Sequence, residues 1–290
     1  MNNVPIFGFS DPISSWSHFF TALMALTGSY FLMVKGRGNS WRVLSLGVYA
    51  FSLIFLFSMS GVFHLLPREG LSRAVMQRLD HAGIWILIAG TFTPLHAILF
   101  RGKWRWLILL CIWTIAITGL VLEIVFFKDF PEWLALSFFL GMGWIGKLSD
   151  YKFRKSYPQH SPRLIIFGGL SYSIGAIIDF TRWPILWYQY IGPHEVFHFF
   201  VTLGAFCHWL FIYKWCDHPI SDKFICDVKI YSENDFVLNA LNDRLYLSAK
   251  SLNEIKEKAL AQIQKRYHQK PTYEVFFRYF HEEKTSSDKF

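Results

Sequence analysis

Charged residues are absent from Pro12 to Val34, from Val43 to Pro67 and from His81 to Phe100. Four further apolar runs, Trp106 to Leu122, Trp133 to Gly146, Leu164 to Ile178 and Val196 to Tyr213, complete a series of seven. A helix rises about 1.5 Å per residue, so a long run crosses roughly 30 Å of hydrocarbon, and the two shorter runs do so by recruiting flanking residues. The pattern predicts an all-α membrane protein of seven transmembrane helices. From about Asp217 the period changes. Phe224, Cys226, Val228 and Ile230 alternate, as do Tyr273, Val275, Phe277 and Tyr279, whereas Ile255, Ala259 and Ile263 keep helical spacing. The chain therefore divides into a seven-helix transmembrane domain, residues 1–216, to which the histidines described below assign zinc binding, and a soluble C-terminal extension, residues 217–290, read as a small α+β module ordered ββαβ.

Composition agrees with a bilayer environment. Of 290 residues, 53% are hydrophobic and only 17% charged, which excludes a soluble domain of ordinary make-up. The first run lacks the basic n-region and small-residue cleavage site of a signal peptide and is read as an anchor. Basic and acidic residues balance in the tail, so the formal +8 lies in the membrane region. That charge is read as topology and contact with anionic membrane lipids; no nucleic-acid motif is present. Lys and Arg concentrate in loops on the tail's side, which by the positive-inside rule places the tail in the cytoplasm and the N-terminus outside. Cys111, Cys207, Cys216 and Cys226 form no CxxC pair and are read as packing residues.

Polar residues share one end of the predicted bundle. His64 ends the second run, Asp80 and His81 open the third, and His194 and His198 open the seventh. Antiparallel spans bring these ends to one membrane face. The i, i+4 spacing of His194 and His198 puts both imidazoles on one helix face. With His64 and a carboxylate or water they satisfy four-coordinate zinc with an open position, the catalytic arrangement. Ser60 lies one turn before His64 on the same face. Ionisable groups inside a membrane are costly and are usually kept for function. Asp80 is read as a site carboxylate or as an interfacial partner of Arg73 or Arg78, and His81 as a neighbour of the ligands or an interfacial residue. Glu123 and Asp179 lie at the same face as secondary acids or solvated span ends. His194-Glu195-Val196-Phe197-His198 also spells the zincin signature, in which the glutamate is general base of a metallopeptidase. Within that helix His208 lies about 15 Å beyond His198, too far to complete a zincin site, and Glu195 points roughly 100° off the first histidine and is read as marking the interface.

Several motifs, in order, carry a family resemblance. They are Asp11-Pro-Ile-Ser14-Ser-Trp-Ser-His18, Ser60-Gly-Val-Phe-His64 and Arg78-Leu-Asp80-His81-Ala-Gly-Ile, with Gly90-Thr-Phe-Thr-Pro94 following. Gly141-Met-Gly143-Trp144, Gly168-Gly169-Leu-Ser-Tyr172-Ser-Ile-Gly175 and His194-Glu-Val-Phe-His198, with His208 downstream, complete the set. Over residues 9–215 the chain resembles the hemolysin III proteins, a bacterial branch of the progestin and adipoQ receptor family. Asp11 and Ser14 stand where that family has Glu and Asn. The tail has no counterpart in it.

The resemblance implies a multi-pass protein of a bacterial cell membrane, with zinc held by His64, His194 and His198, Asp80 beside a water and Ser60 in the polar cluster. It implies hydrolysis of a lipid amide, as by ceramidases, in which zinc polarises the carbonyl and acidifies water while Asp80 and Ser60 assist. Three alternatives stand beside it: a zinc-stabilised receptor or sensor, a pore-forming cytolysin, and an intramembrane metalloprotease. The family's usual topology puts the N-terminus and the zinc in the cytoplasm, opposite to the loop charges.

Overall fold

A computed structural model describes residues 5, 8–221, 223–241, 243, 245–266 and 274–281. Seven long helices come first: α1 (Pro12–Gly36), α2 (Ser40–Leu65), α3 (Leu71–Leu99), α4 (Lys103–Val125), α5 (Glu132–Ser156), α6 (Arg163–Thr181) and α7 (Pro193–Trp215). Among the described residues six of them, all but α5, are long and apolar enough to cross a membrane. The last turns of α5 carry Lys147, Asp150, Lys152, Arg154 and Lys155, which dilute its hydropathy.

Local chemistry sets the helix ends. Pro12 occupies the first turn of α1, where its missing N–H is no loss. The Asn39 side chain caps α2 by accepting from the Arg42 backbone N–H. Gly70 and Gly102, with φ of 118° and 60°, turn the chain into α3 and α4. The α3 helix begins at Leu71, nearly three turns before His81. Charges interrupt the apolar run before His81 without interrupting the helix, so Asp80 and His81 sit inside α3 rather than at its start.

The bundle is apolar outside and partly polar inside, as lipid requires. Phe20, Tyr30, Leu110 and Phe199 face outward, whereas Ser14, Ser45, Ser52, Ser60 and Thr91 are buried. One core joins Leu46, Tyr49, Leu53 and Phe57 to Val201, Ala205 and Phe211. A second packs Trp85 and Phe92 of α3 on Ile108, Ile112 and Ala116 of α4. Gly119 lets α4 lie against the Trp85 indole; a Cβ there would collide with the ring.

The tail forms a four-stranded sheet in the order β3-β2-β1-β4, from β1 (Lys223–Ser232), β2 (Asp235–Ala240), β3 (Tyr246–Ala249) and β4 (Glu274–His281). β1 pairs antiparallel with β2 and parallel with β4, Cys226 opposing both Ala240 and Phe277. Helix α8 (Leu252–Arg266) makes the crossover and buries Ile255, Ala259 and Ile263 against Cys226, Val228 and Leu238. The order is thus βββαβ, one strand more than expected; β3 has four residues, too short for alternation to register. Tyr273 lies outside the described residues. The four cysteines are free, and burial pushes the Cys216 and Cys226 thiols up to about 12 and about 11.

Arginines tie the tail to the bundle. Arg42, fully buried, donates to the carbonyls of Gly36, Asp217 and His218 and pairs with Asp243 at 3.5 Å. Arg101 and Arg105 donate to the carbonyls of Pro219 and Ile220. Removing one partner of a buried ion pair strands the other charge, at a cost of about 3–5 kcal/mol. Arg42→Met is therefore expected to lower the thermal midpoint in detergent and to speed protease cleavage between residues 217 and 222, whereas an exposed control such as Arg37→Met is expected to do neither.

Candidate metal centre

The first motif, the end of α2 and the start of α7 meet at one point. Asp11 N–H donates to the His64 carbonyl at 3.0 Å, and Ser15 Oγ to the Gly61 carbonyl at 2.8 Å, stitching the start of α1 to the end of α2. Ser14 Oγ donates to Glu195 Oε1 at 2.9 Å, while Glu195 Oε2 accepts from the Gly192 backbone N–H. Glu195 is therefore not an interfacial marker; it is buried, caps the first turn of α7 and anchors α1 there. No geometry of a zincin base results.

These ties bring His64, His194 and His198 together, with one ligand atom from each lying within 4.8 Å of the others. Nε2 of His64 and Nε2 of His194 are 3.2 Å apart. The Nδ1 atoms of the same two rings face carboxylates, His64 toward Asp11 at 3.4 Å and His194 toward Asp179 at 3.1 Å. A proton on each Nδ1 is the tautomer those carboxylates favour, and it leaves two Nε2 lone pairs opposed. Such opposition is relieved by a cation between them. Two nitrogens bound to tetrahedral zinc at about 2.0–2.1 Å stand roughly 3.3–3.4 Å apart, close to the observed separation. Nδ1 of His198 is buried with no hydrogen-bond partner among the described residues. The donor set, the spacing and the carboxylate-held rings all fit a zinc-type ion.

Asp80 and Ser60 line the same cavity as the three histidines. The Asp80 carboxylate interacts electrostatically with His64, His81 and His194. Arg73 does not take it up: that guanidinium pairs with Asp11 at 2.7 Å, and Arg78 lies over the Phe127 ring. Ser60 Oγ is buried and has no hydrogen-bond partner among the described residues. His81 Nδ1 meets Glu123 Oε1 at 2.7 Å. The cavity holds about 680 Å³ and runs from this polar end past Ile84, Leu87 and Phe139 to Leu99 and Phe153.

Sequence reasoning undervalued the first motif. Asp11, Ser14 and His18 follow i, i+3, i+7 spacing, which places them on one face of α1. His18 stacks on His198, ring centroids 3.7 Å apart and planes 6° from parallel, with neither of its nitrogens hydrogen-bonded among the described residues. Asp179, read as a secondary acid or a solvated span end, is shared between His194 and Arg182. His208 lies elsewhere, its Nε2 at the Ile165 carbonyl, and forms no part of the cluster.

Comparison with known proteins adds an independent line. The family model described as "Haemolysin-III related" matches residues 9–209. "Hemolysin-3" of Bacillus cereus is 29% identical over 191 residues, 65% of this chain and 84% of the relative. "Hemolysin-3 homolog" of Bacillus subtilis is 25% identical over 202 residues, 69% of this chain and 91% of the relative. The "Heptahelical transmembrane protein ADIPOR3" of Oryza sativa is 30% identical over 189 residues, 58% of this chain and 47% of the relative.

Two measurements check the site. Protein purified with zinc in the medium is expected to carry about one ion per chain by elemental analysis, falling to background in His64→Ala and in the double variant His194→Ala/His198→Ala. Retention of the ion without His64 would break the three-helix arrangement. The second concerns Asp11. Burial raises its carboxyl, but hydrogen bonds from His64 and Arg73 outweigh burial and hold it well below the usual carboxylate range. A depressed folded-state pKa stabilises fully above the ordinary value of 3.8, and the stabilisation is lost as pH falls below it. The gap in thermal midpoint between wild type and Asp11→Asn is expected to be open near neutral pH and to narrow once pH drops under that value.

Proposed function

The chain belongs to the haemolysin-III related family, and from that premise we propose that it is a zinc-dependent hydrolase of lipid amides, ceramidase-like in chemistry. It is an integral membrane protein with several spans. We count α5 as the seventh span: its 25 residues cover about 37 Å, and its charges gather at one end. In this assignment residues 1–216 carry the site and 217–290 are an appended module.

The observation that carries the proposal is the cavity, lined mainly by apolar side chains, with the histidines converging at one end and Lys147, Ser149 and Asp150 lining it near Phe153. That division suits an amide with a long acyl chain: the chain lies among Leu87, Leu99 and Phe153, and the carbonyl reaches His64, His194 and His198. Zinc held by three neutral imidazoles supplies Lewis acidity, polarising a carbonyl and acidifying water. Asp80 accepts the proton of the attacking water. Ser60 Oγ, uncommitted among the described residues, donates to the carbonyl oxygen as it gains negative charge. Asp11 and Asp179 hold the imidazoles in orientation.

The test is turnover by pure zinc-loaded protein on N-acyl lipid amides in mixed micelles, read as released fatty acid. Asp80→Asn is expected to lower kcat by about 100-fold or more while bound zinc stays at the wild-type level. No turnover by wild type with zinc in place would refute the hydrolase and favour a receptor, in which zinc ties the helices and the arginine-clamped tail relays their movement.

A further inference from the structure

The cavity has a second polar group that the zinc chemistry does not use. Glu123, in the last turn of α4, is buried at the end of an uncharged stretch from Trp106 to Leu122, where a carboxylate is expensive. Both of its oxygens are engaged by α3: Oε1 with His81 Nδ1 at 2.7 Å, and Oε2 with Trp85 Nε1 at 2.6 Å. Trp85 is itself fully buried and seated on Gly119, so the carboxylate is fixed in place. The fixed carboxylate in turn orients the His81 ring. With Nδ1 committed, Nε2 is the free nitrogen, without a hydrogen bond among the described residues. The His81 side chain is 39% exposed and lines the cavity together with His64, His194 and Asp80.

Amide hydrolysis requires two proton transfers, and the proposed metal site accounts for one. An amine leaves poorly as an anion, so its nitrogen must be protonated as the C–N bond breaks. We propose that His81 is a catalytic residue, giving that proton from Nε2 to the departing nitrogen, and that Glu123 is the positioning residue that orients the ring and supports its positive charge. This rests on the hydrolase assignment above. In the step, the water oxygen bonds to the carbonyl carbon and the water's proton goes to Asp80. The C–N electron pair stays on nitrogen, which takes the His81 proton. The proton held by Asp80 then restores His81 through solvent, so amide and water become carboxylic acid and amine. Asp80 and His81 are consecutive on α3 and differ in direction by about 100°, so one accepts beside the carbonyl while the other donates beside the nitrogen.

The experiment compares two probes with the same acyl chain, an N-acyl ethanolamine and a p-nitrophenyl ester, on full-length zinc-loaded protein in micelles. Nitrophenolate leaves without a proton, so the ester does not need His81. For His81→Asn the amide-to-ester ratio of kcat is expected to fall about 100-fold with zinc per chain at the wild-type level. Glu123→Gln keeps an acceptor for Nδ1, guards against misfolding of the first variant, and is expected to lower the ratio about tenfold. A ratio within about threefold of wild type in both variants would overturn the pair's role while leaving the hydrolase standing. A wild type that cleaves neither probe would remove both.

Discussion

Imidazoles inside an apolar bundle impose the constraint on which the remainder of this structure depends. A ring nitrogen removed from water without a hydrogen bond or a metal costs, in lipid, several kcal/mol. The protein satisfies the outer nitrogens of His64 and His194 with Asp11 and Asp179 and turns their inner nitrogens toward each other and toward His198. This arrangement requires the loop before α1, the end of α2, the end of α6 and the start of α7 to meet at one depth. The cross-links that hold them there, Ser14 to Glu195, Ser15 to Gly61 and Arg73 to Asp11, are best understood as scaffolding for that convergence.

The same constraint accounts for the division of labour among carboxylates. Asp11 and Asp179 are tied up by cations and by imidazole N–H groups, and Glu123 by His81 and Trp85. Asp80 lines the cavity while acting on its neighbours through its field. A carboxylate with that freedom beside three imidazoles is the one suited to moving a proton, and the others are suited to holding rings in place.

At the opposite end of the bundle the chemistry serves assembly. Arg42, Arg101 and Arg105 satisfy the carbonyls of residues 217–220, so the chain leaves α7 along a defined path into β1. The linker carbonyls thereby receive donors where the helix no longer provides them. Tyr157 adds to this by bonding the Leu99 carbonyl and His218 Nε2. The tail is thus seated by arginines in the first turns of α2 and α4 and in the loop before α4.

Much of this was legible along the chain. Charge-free runs located the helices, and alternation located β1 and β4, because a bilayer and a half-buried sheet each enforce a period that side chains cannot hide. The spacing of His194 and His198, and the antiparallel return that brings His64 to them, also followed from helix geometry alone. Other features were decided only by tertiary packing. The roles of Glu195 and His18, the shared use of Asp179 and the Glu123–His81–Trp85 constellation depend on which faces of α1, α3, α4, α6 and α7 turn toward one another. The short strand β3 depends on β2 being beside it. Period along a sequence specifies which residues lie on one face; the rotation and depth of each helix, set by side-chain packing and by the need to satisfy buried polar groups, decide which faces meet.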